Sequence, residues 1–186
     1  MSSPFIWESD EGVTITPPPA DLDPVQAEID RIDQLLAAAG VDIGDAGPSS
    51  LYVSRKVLNT GDLRTWAKDA GITGLVVADD LHVTICYSTR PVDWMEMGQP
   101  WEEEIEIPAG GPRLVEIFGD SAVVLRFASS SLKWRHDEFV RGGASWDFPS
   151  YAPHITLSLS GVVPEGIKPY TGRIRLGPEI FEEIKQ

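Results

Sequence analysis

Residues 81–88, LHVTICYS, and residues 153–160, PHITLSLS, decide the fold, because both read as strands that carry the same short pattern. Alternate side chains of a strand point to opposite faces. One face of each strand is therefore expected to be apolar and buried. The opposite faces are expected to carry the polar side chains of His82, Thr84, Cys86 and Ser88 in the first stretch and of His154, Thr156, Ser158 and Ser160 in the second.

Two copies of His-x-Thr are more informative than one. A single copy on a strand is common, and its histidine is usually a structural residue with satisfied hydrogen bonds. This chain has 3 histidines, and two of them occupy the pattern in matching strand contexts. We therefore predict that His82, Thr84, His154 and Thr156 form one functional site.

Composition limits the classes of partner. A chain of 186 residues suits one compact domain, or a domain with an appendage. Its formal net charge of −14 argues against a general nucleic-acid binder, which normally shows a basic surface. The charge is uneven, because residues 1–48 contain ten acidic residues and only one basic residue. Long nucleic acids are therefore not expected as partners, whereas a small phosphate-bearing ligand is compatible with residues 49–186.

The cellular setting is predicted from what the sequence lacks. No apolar run approaches the length of a membrane span, and the first residues, MSSPFIWESD, do not resemble a signal peptide. Cys86 is the only cysteine, which excludes an internal disulfide and a metal cluster built on cysteines. We expect a cytoplasmic protein without membrane association.

Residues 1–48 are predicted to form an N-terminal extension. The run Thr16 to Pro19 favours an extended linker. Asp23 and Pro24 then suit the start of an amphipathic helix, residues 24–39, which Gly40 ends. The apolar stripe of this helix needs a surface to cover. Docking on the main domain is one possibility, and association with a partner or a second copy is the other.

Residues 49–186 are predicted to repeat one organisation: a strand, a helix that ends at glycine, and a histidine strand. His82 and His154 stand 72 residues apart, and the same offset relates Gly71 to Gly143. Two lobes related by a pseudo-twofold axis would bring both His-Thr pairs to a central cleft. Further strands, ending with YTGRIRLG before a terminal turn or short helix in PEIFEEIKQ, give an α+β class with mostly antiparallel sheets.

Histidines paired in this way suit the cleavage of a phosphodiester. An imidazole titrates near neutral pH and can act as general base or general acid. A threonine two residues away on the same face can donate to the non-bridging oxygens as their charge shifts. Two such pairs across a cleft supply base, acid and phosphate donors without a metal ion.

Two other chemistries fit these residues less well. Zinc would need a third ligand, and neither a carboxylate nor a second cysteine stands at ligand spacing. Cys86 on the histidine face could act as a nucleophile, although a space-filling thiol is the simpler interpretation. We therefore expect neither a metal nor another cofactor.

These motifs resemble those of the two-histidine (2H) phosphoesterase superfamily, which pairs two His-x-Ser/Thr motifs in a bilobal fold. Several stretches are more narrowly similar to the phage anti-CBASS nucleases, which destroy the cyclic oligonucleotide messengers of bacterial anti-phage immunity. They lie within residues 50–184 and are LYVSRKVLN, WAKDAG, DDLHVTICYS, RPVDW, YAPHITLSLS and RLGPEIFEEI.

The resemblance implies metal-independent cleavage of 3′–5′ bonds in cyclic di- and trinucleotides, with a ribose 2′-hydroxyl as the attacking group. It implies that His82 and His154 are the acid–base pair and that Thr84 and Thr156 hold the phosphate. Members of the family also stack bases on aromatic rings and use residues near the C-terminus over the ligand. The corresponding substrate-binding candidates are Tyr52, Arg55, Tyr151, Trp94, Trp146, Glu182 and Glu183.

Two other functions stay open at the level of the sequence. One is a different 2H activity, on RNA ends with a 2′,3′-cyclic phosphate or on 2′–5′ linked RNA. The other is non-catalytic, with the domain as a nucleotide-binding or virion-associated module and helix 24–39 as an assembly element. If a phage encodes the chain, the expected compartment is the cytoplasm of the host bacterium.

Overall fold

A computed structural model describes residues 48–184. In this part of the chain, seven β-strands and two α-helices are formed. The strands are β1 (Ser49–Val57), β2 (His82–Val92), β3 (Ile105–Ile107), β4 (Arg113–Phe118), β5 (Ala122–Phe127), β6 (His154–Ser158) and β7 (Ile174–Glu182). The helices are α1 (Thr60–Asp69) and α2 (Ser130–Arg141). The predicted helix 24–39 lies outside the described residues.

The strands form two antiparallel sheets. The first has the order β2-β1-β7-β3 and the second the order β4-β5-β6. The two histidine strands are each an edge of their sheet, and they lie next to each other. The predicted α+β class with antiparallel sheets is confirmed.

The predicted repeat is present as β1-α1-β2 and β5-α2-β6, with the first and last strands of each unit paired. Lys56 pairs with His82 in the first unit, as Arg126 pairs with His154 in the second. The helices also end alike. Gly71 and Gly143 have φ angles of 84° and 105°, a left-handed conformation that glycine adopts without strain. The two units therefore share their backbone design although their sequences have diverged.

Each histidine strand contains a β-bulge directly after its threonine. In β2, Ser54 faces Thr84 while Val53 faces Cys86, so Ile85 is the extra residue. In β6, Val124 faces Thr156 while Val123 faces Ser158, so Leu157 is extra. An extra residue reverses the alternation of faces beyond it. Each bulge therefore turns the residue two places after the threonine, Cys86 or Ser158, into the interior.

The bulges correct the predicted faces of both strands. Cys86 and Ser158 are buried, with exposures of 1% and 0%, rather than lying on the histidine face. Ser88 is also buried, whereas Tyr87, which simple alternation predicts on the apolar face, is exposed. Burial raises the pKa of the Cys86 thiol to about 12. A buried thiol with so high a pKa is a poor nucleophile.

Helix α2 connects the two halves of the fold. It turns Leu132 and Phe139 inward and packs against β2 of the other unit. Phe139 meets Phe181 of β7 with ring centroids 5.6 Å apart. Helix α2 thus packs on the sheet that carries His82, and this packing holds β2 in position.

The C-terminal segment differs from the prediction of a turn or short helix after Gly177. Strand β7 continues through Pro178 to Glu182 and pairs with β1 along its length. Proline lacks an N–H group and is tolerated at a bulge, and the ladder between β1 and β7 shifts register at this point, between Arg55 and Val57. The continued strand places Glu182 opposite Tyr52.

Candidate active site

The two histidines occupy equivalent, half-buried positions on adjacent edge strands. His82 begins β2 and His154 begins β6. Strands β2 and β6 contact each other, so the two predicted histidines begin neighbouring strands.

Both imidazoles are held by the same local hydrogen bond. The Nδ1 atom of His82 lies 2.5 Å from the carbonyl oxygen of Asp80. The Nδ1 atom of His154 lies 2.8 Å from the carbonyl oxygen of Ala152. A carbonyl oxygen only accepts, so each Nδ1 carries a proton and donates it. Each Nε2 is then the nitrogen free to take or give a proton, which is the state that acid–base catalysis requires.

Burial lowers the pKa of His154, and the charge of His82 lowers it further. The hydrogen bond to Ala152, which is a larger cause than the charge of His82, and the carboxylate of Glu116 act in the opposite direction. The net direction is downward from 6.5. A lowered pKa keeps His154 neutral at neutral pH, so its Nε2 is available as a proton acceptor.

This shift predicts the acid limb of the pH–rate profile. If His154 acts as the base, it must be neutral to accept a proton, and because its pKa lies below 6.5 we expect the acid-side fall in kcat/KM to be centred below pH 6.5. The measurement is kcat/KM against pH in a buffer series of constant ionic strength. An acid limb centred at or above pH 6.5 would contradict the assignment of His154 as the base.

The threonines lie on the same strand faces as their histidines, two residues further along. Thr84 and Thr156 are both half-buried between fully buried neighbours. The Oγ1 atom of Thr84 lies 3.1 Å from the hydroxyl of Tyr52. The backbone carbonyl of Thr84 accepts a hydrogen bond of 3.0 Å from the hydroxyl of Tyr151. Thr84 is therefore positioned through both its side chain and its main chain.

An aromatic cleft opens beside His82. It encloses about 280 Å³ and is lined by Tyr52, Tyr87, Glu182, Glu183 and Ile184. Tyr52 meets the rings of His82 and Tyr87 edge to face, with centroids 6.2 and 6.1 Å apart. Burial raises the pKa of Tyr52, which remains an uncharged phenol. The cleft combines aromatic surface with carboxylate acceptors, a combination suited to a nucleobase with exocyclic amino groups.

The structure brings Tyr52, Glu182 and Glu183 to this cleft, but it places Arg55 elsewhere. The side chain of Arg55 is 0% exposed and lies on the opposite face of β1. It donates to the carbonyls of Glu103 and Gly177 and pairs with Glu179 at 3.5 Å. The expectation that Arg55 contacts a substrate is therefore corrected, because this arginine is a component of the core.

Arg55 has a testable structural role instead. Glu179 also accepts from Arg135, at 3.0 Å, so the carboxylate lies between two arginines. Replacing Arg55 with methionine removes one of them and two hydrogen bonds to carbonyls. Breaking a buried pair in this way costs about 3 kcal/mol of unfolding free energy, which urea denaturation would measure. The matched surface variant Arg175→Met, which loses only an exposed pair with Glu104, should change stability far less, because solvent screens such a pair.

Three predicted aromatic ligands are also placed outside the cleft. Trp94 packs against the core and meets Phe181 edge to face at 6.2 Å. Trp146 packs beside His136, with ring centroids 4.6 Å apart. Tyr151 stacks on His136 at 4.2 Å, with an interplanar angle of 9°. None of the three rings lines the cleft beside Tyr52, and their stacking on a base stays a prediction.

Several residues of the site are absent from the sequence-based prediction. Tyr87 reaches the cleft only because of the bulge, which no local pattern marks. Phe118, at the end of β4, lies 4.6 Å from the ring of His154. Arg126 pairs across the strands with His154 and forms a 3.0 Å ion pair with Glu116. Glu116 and Phe118 lie two residues apart on β4 and so share one face of the strand. Their position near His154 follows only from the pairing of β4 with β5, which the sequence does not reveal.

The described region contains neither a cluster of metal ligands nor a candidate membrane-spanning helix. Within residues 48–184, no three His, Cys, Asp or Glu side chains converge as metal ligands would. Among the same residues, no helix has the length and apolar character needed to cross a membrane.

The fold is similar to that of E. coli LigT. The crystal structure of E. coli LigT complexed with NADP+ matches with a TM-score of 0.51 and covers 75% of this chain and 99% of its own. Only 16% of the aligned residues are identical, so the likeness concerns the fold.

Sequence comparison identifies the family. Residues 49–186 match the model of the anti-CBASS protein Acb1 family. A Caulobacter sp. (strain RHG1) anti-CBASS protein Acb1 is 51% identical over 148 residues, which are 76% of this chain and 24% of that protein. The protein of the same name from Sphingomonas paeninsulae is 46% identical over 182 residues, 91% of this chain and 29% of that protein. The chain belongs to the anti-CBASS protein Acb1 family, and it spans about a quarter of the length of these relatives.

Proposed function

We propose that residues 49–186 form a metal-independent phosphodiesterase that opens 3′–5′ bonds of cyclic di- and trinucleotide messengers. Cleavage of these messengers would counter the CBASS immunity of a bacterial host, in the cytoplasm. The observation that carries the proposal is the matched anchoring of both histidines, each with Nδ1 bound to a carbonyl and Nε2 free. Family membership supports the class of substrate.

The proposed reaction is an in-line transfer within the substrate. A ribose 2′-hydroxyl attacks the neighbouring phosphorus while the neutral His154 Nε2 takes its proton. The new O2′–P bond forms as the P–O5′ bond breaks. Protonated His82 gives its proton to the departing 5′ oxygen. The ring becomes a linear oligonucleotide with a 2′,3′-cyclic phosphate at one end and a 5′-hydroxyl at the other.

The threonines and the aromatic cleft have separate roles in this proposal. Thr84 and Thr156 donate to the non-bridging phosphoryl oxygens, whose charge changes in the transition state. The cleft of Tyr52, Tyr87 and Glu182 receives the nucleobase next to the reacting phosphate. The two carboxylates at its rim, Glu182 and Glu183, disfavour an additional phosphate there, which supports a small ring over longer RNA.

The test compares substrates under one set of conditions with EDTA present. The panel contains a 3′,3′-cyclic dinucleotide, a cyclic trinucleotide, a 2′,3′-cyclic mononucleotide and a 2′–5′ linked dinucleotide, and chromatography resolves the products. Ring opening in EDTA is expected for the first two. Turnover of only the last two would support the other 2H activity, and loss of turnover with EDTA would contradict metal independence. Binding of a cyclic dinucleotide without cleavage would favour a non-catalytic binding module.

A further inference from the structure

The third histidine of the chain, His136, lies behind the β2 bulge. Its side chain is buried, with an exposure of 4%. Its Nδ1 donates to the carbonyl of Ile85, the extra residue of the bulge, over 2.8 Å. The preceding carbonyl, that of Thr84, accepts the 3.0 Å hydrogen bond from Tyr151. Two successive carbonyls of an edge strand are therefore held by two side chains from the other half of the protein.

The equivalent bulge in β6 shows that the carbonyl of the extra residue is paired with a hydrogen-bond donor there as well. There the extra residue is Leu157, and its carbonyl accepts from the backbone N–H of Val76 over 2.9 Å. The two halves thus satisfy equivalent carbonyls, one with a main-chain amide and the other with an imidazole. His136 Nδ1 takes the place of a backbone donor. A side-chain donor can be replaced by mutation, which makes the contribution of this contact measurable.

His136 and Tyr151 also support each other. Their rings are stacked with centroids 4.2 Å apart and nearly parallel, which restricts both side chains to one orientation. Burial lowers the pKa of His136, which favours the neutral imidazole that donates through Nδ1. The stacked pair acts as one rigid unit with two donors.

The same segment orients the second catalytic histidine. Tyr151 is followed directly by Ala152, whose carbonyl anchors His154 Nδ1. A displacement of Tyr151 would therefore affect Thr84 in one half and His154 in the other. A reacting centre displaced by about 1 Å can lose about 100-fold in rate.

We propose that His136 and Tyr151 form a clamp on the β2 bulge that fixes the spacing between Thr84 and His154. Both are positioning residues, because neither supplies a group to the substrate. This inference rests on the proposed phosphodiesterase function for its kinetic consequence, but the geometry of the clamp can be tested separately.

The kinetic test uses variants matched in size. His136→Asn keeps an amide donor near the Nδ1 position, and His136→Leu has a similar volume without a donor. Tyr151→Phe removes one hydroxyl and keeps the ring. For cyclic dinucleotide cleavage, we expect kcat to fall about 30-fold in His136→Leu and about 10-fold in Tyr151→Phe. His136→Asn should stay within about 3-fold of wild type, and KM should change less than about 2-fold throughout.

A second readout does not depend on activity. With 3 histidines in the chain, ¹⁵N imidazole spectra can resolve each ring and its tautomer. Wild type should show Nδ1-protonated rings for all three. In Tyr151→Phe and His136→Leu, His154 should populate both tautomers, whereas a purely structural role would lower the melting temperature and leave the His154 spectrum unchanged.

The outcomes separate the two proposals. If wild type cleaves no cyclic nucleotide but the spectra change as expected, the proposed function fails and the clamp stands. The clamp is overturned if kcat per folded protein is unchanged in both His136→Leu and Tyr151→Phe. It is also overturned if His136 is protonated on Nε2 in wild type, or if the His154 spectrum is the same in all variants. Tyr151→Phe keeps the test valid should His136→Leu fail to fold.

Discussion

Replacing His154 or His82 with asparagine is expected to lower kcat about 10³-fold, as much as replacement with alanine. Asparagine places an amide nitrogen near the Nδ1 position and can keep the hydrogen bond to the carbonyl of Ala152 or Asp80. It lacks an equivalent of Nε2. The anchor is thus retained while the proton-transfer atom is lost, and single-turnover cleavage of a cyclic dinucleotide measures the difference.

This pair of variants separates catalysis from local structure. If asparagine restored most of the activity lost in the alanine variant, the imidazole would serve mainly to anchor the strand, and the acid–base assignment would be wrong. The surface variant Glu104→Ala, which removes one exposed ion pair with Arg175, is the control and should keep wild-type turnover. Circular dichroism of each variant confirms that the fold is unchanged.

Thr84→Val and Thr156→Val are expected to lower kcat about 100-fold each, because valine has the shape of threonine without the hydroxyl donor. The loss should appear mainly in kcat, since the donors act on charge that shifts in the transition state. Serine at either position keeps the hydroxyl and should retain activity within about 10-fold. Steady-state kinetics of the four variants on a cyclic dinucleotide provide the measurement.

The two threonines also differ in a way that the kinetics can show. Thr84 Oγ1 contacts the hydroxyl of Tyr52 at 3.1 Å, so Thr84→Val leaves that phenol without this partner. The contact of Tyr52 with the nucleobase should then weaken, and KM should rise more in Thr84→Val than in Thr156→Val. If both valine variants kept the wild-type kcat, the assignment of the two threonines to the phosphate site would be wrong.

The sequence was sufficient to predict the repeated unit, because its signals are local. A glycine after each helix, a histidine at the start of each second strand and a threonine two residues later all lie within short stretches. The structure confirms the repeat and the α+β class. The contact between β2 and β6 makes the two histidine strands neighbours, as the predicted shared site requires.

The bulges were not predictable, because they depend on the partner strand. Nothing local distinguishes Ile85 from a regular strand residue, so simple alternation placed Cys86 on the wrong face and Tyr87 in the core. Arg55 illustrates a different failure. A basic residue near the predicted cleft suggested a substrate contact, whereas Glu179, 124 residues later in the chain, pairs with Arg55 in the core. Long-range pairs of this kind leave no local signal.

In the described part of the chain, the two histidine strands are also edge strands of their sheets. An exposed edge strand invites pairing with strands of other molecules and is a common origin of aggregation. Here β2 and β6 lie next to each other, so each limits access to the edge of the other. Either half alone would expose its edge to solvent and to other chains. The contact that brings the two histidine strands together therefore also limits access to their edges, so that one feature of the fold would serve both the proposed site and the solubility of the chain.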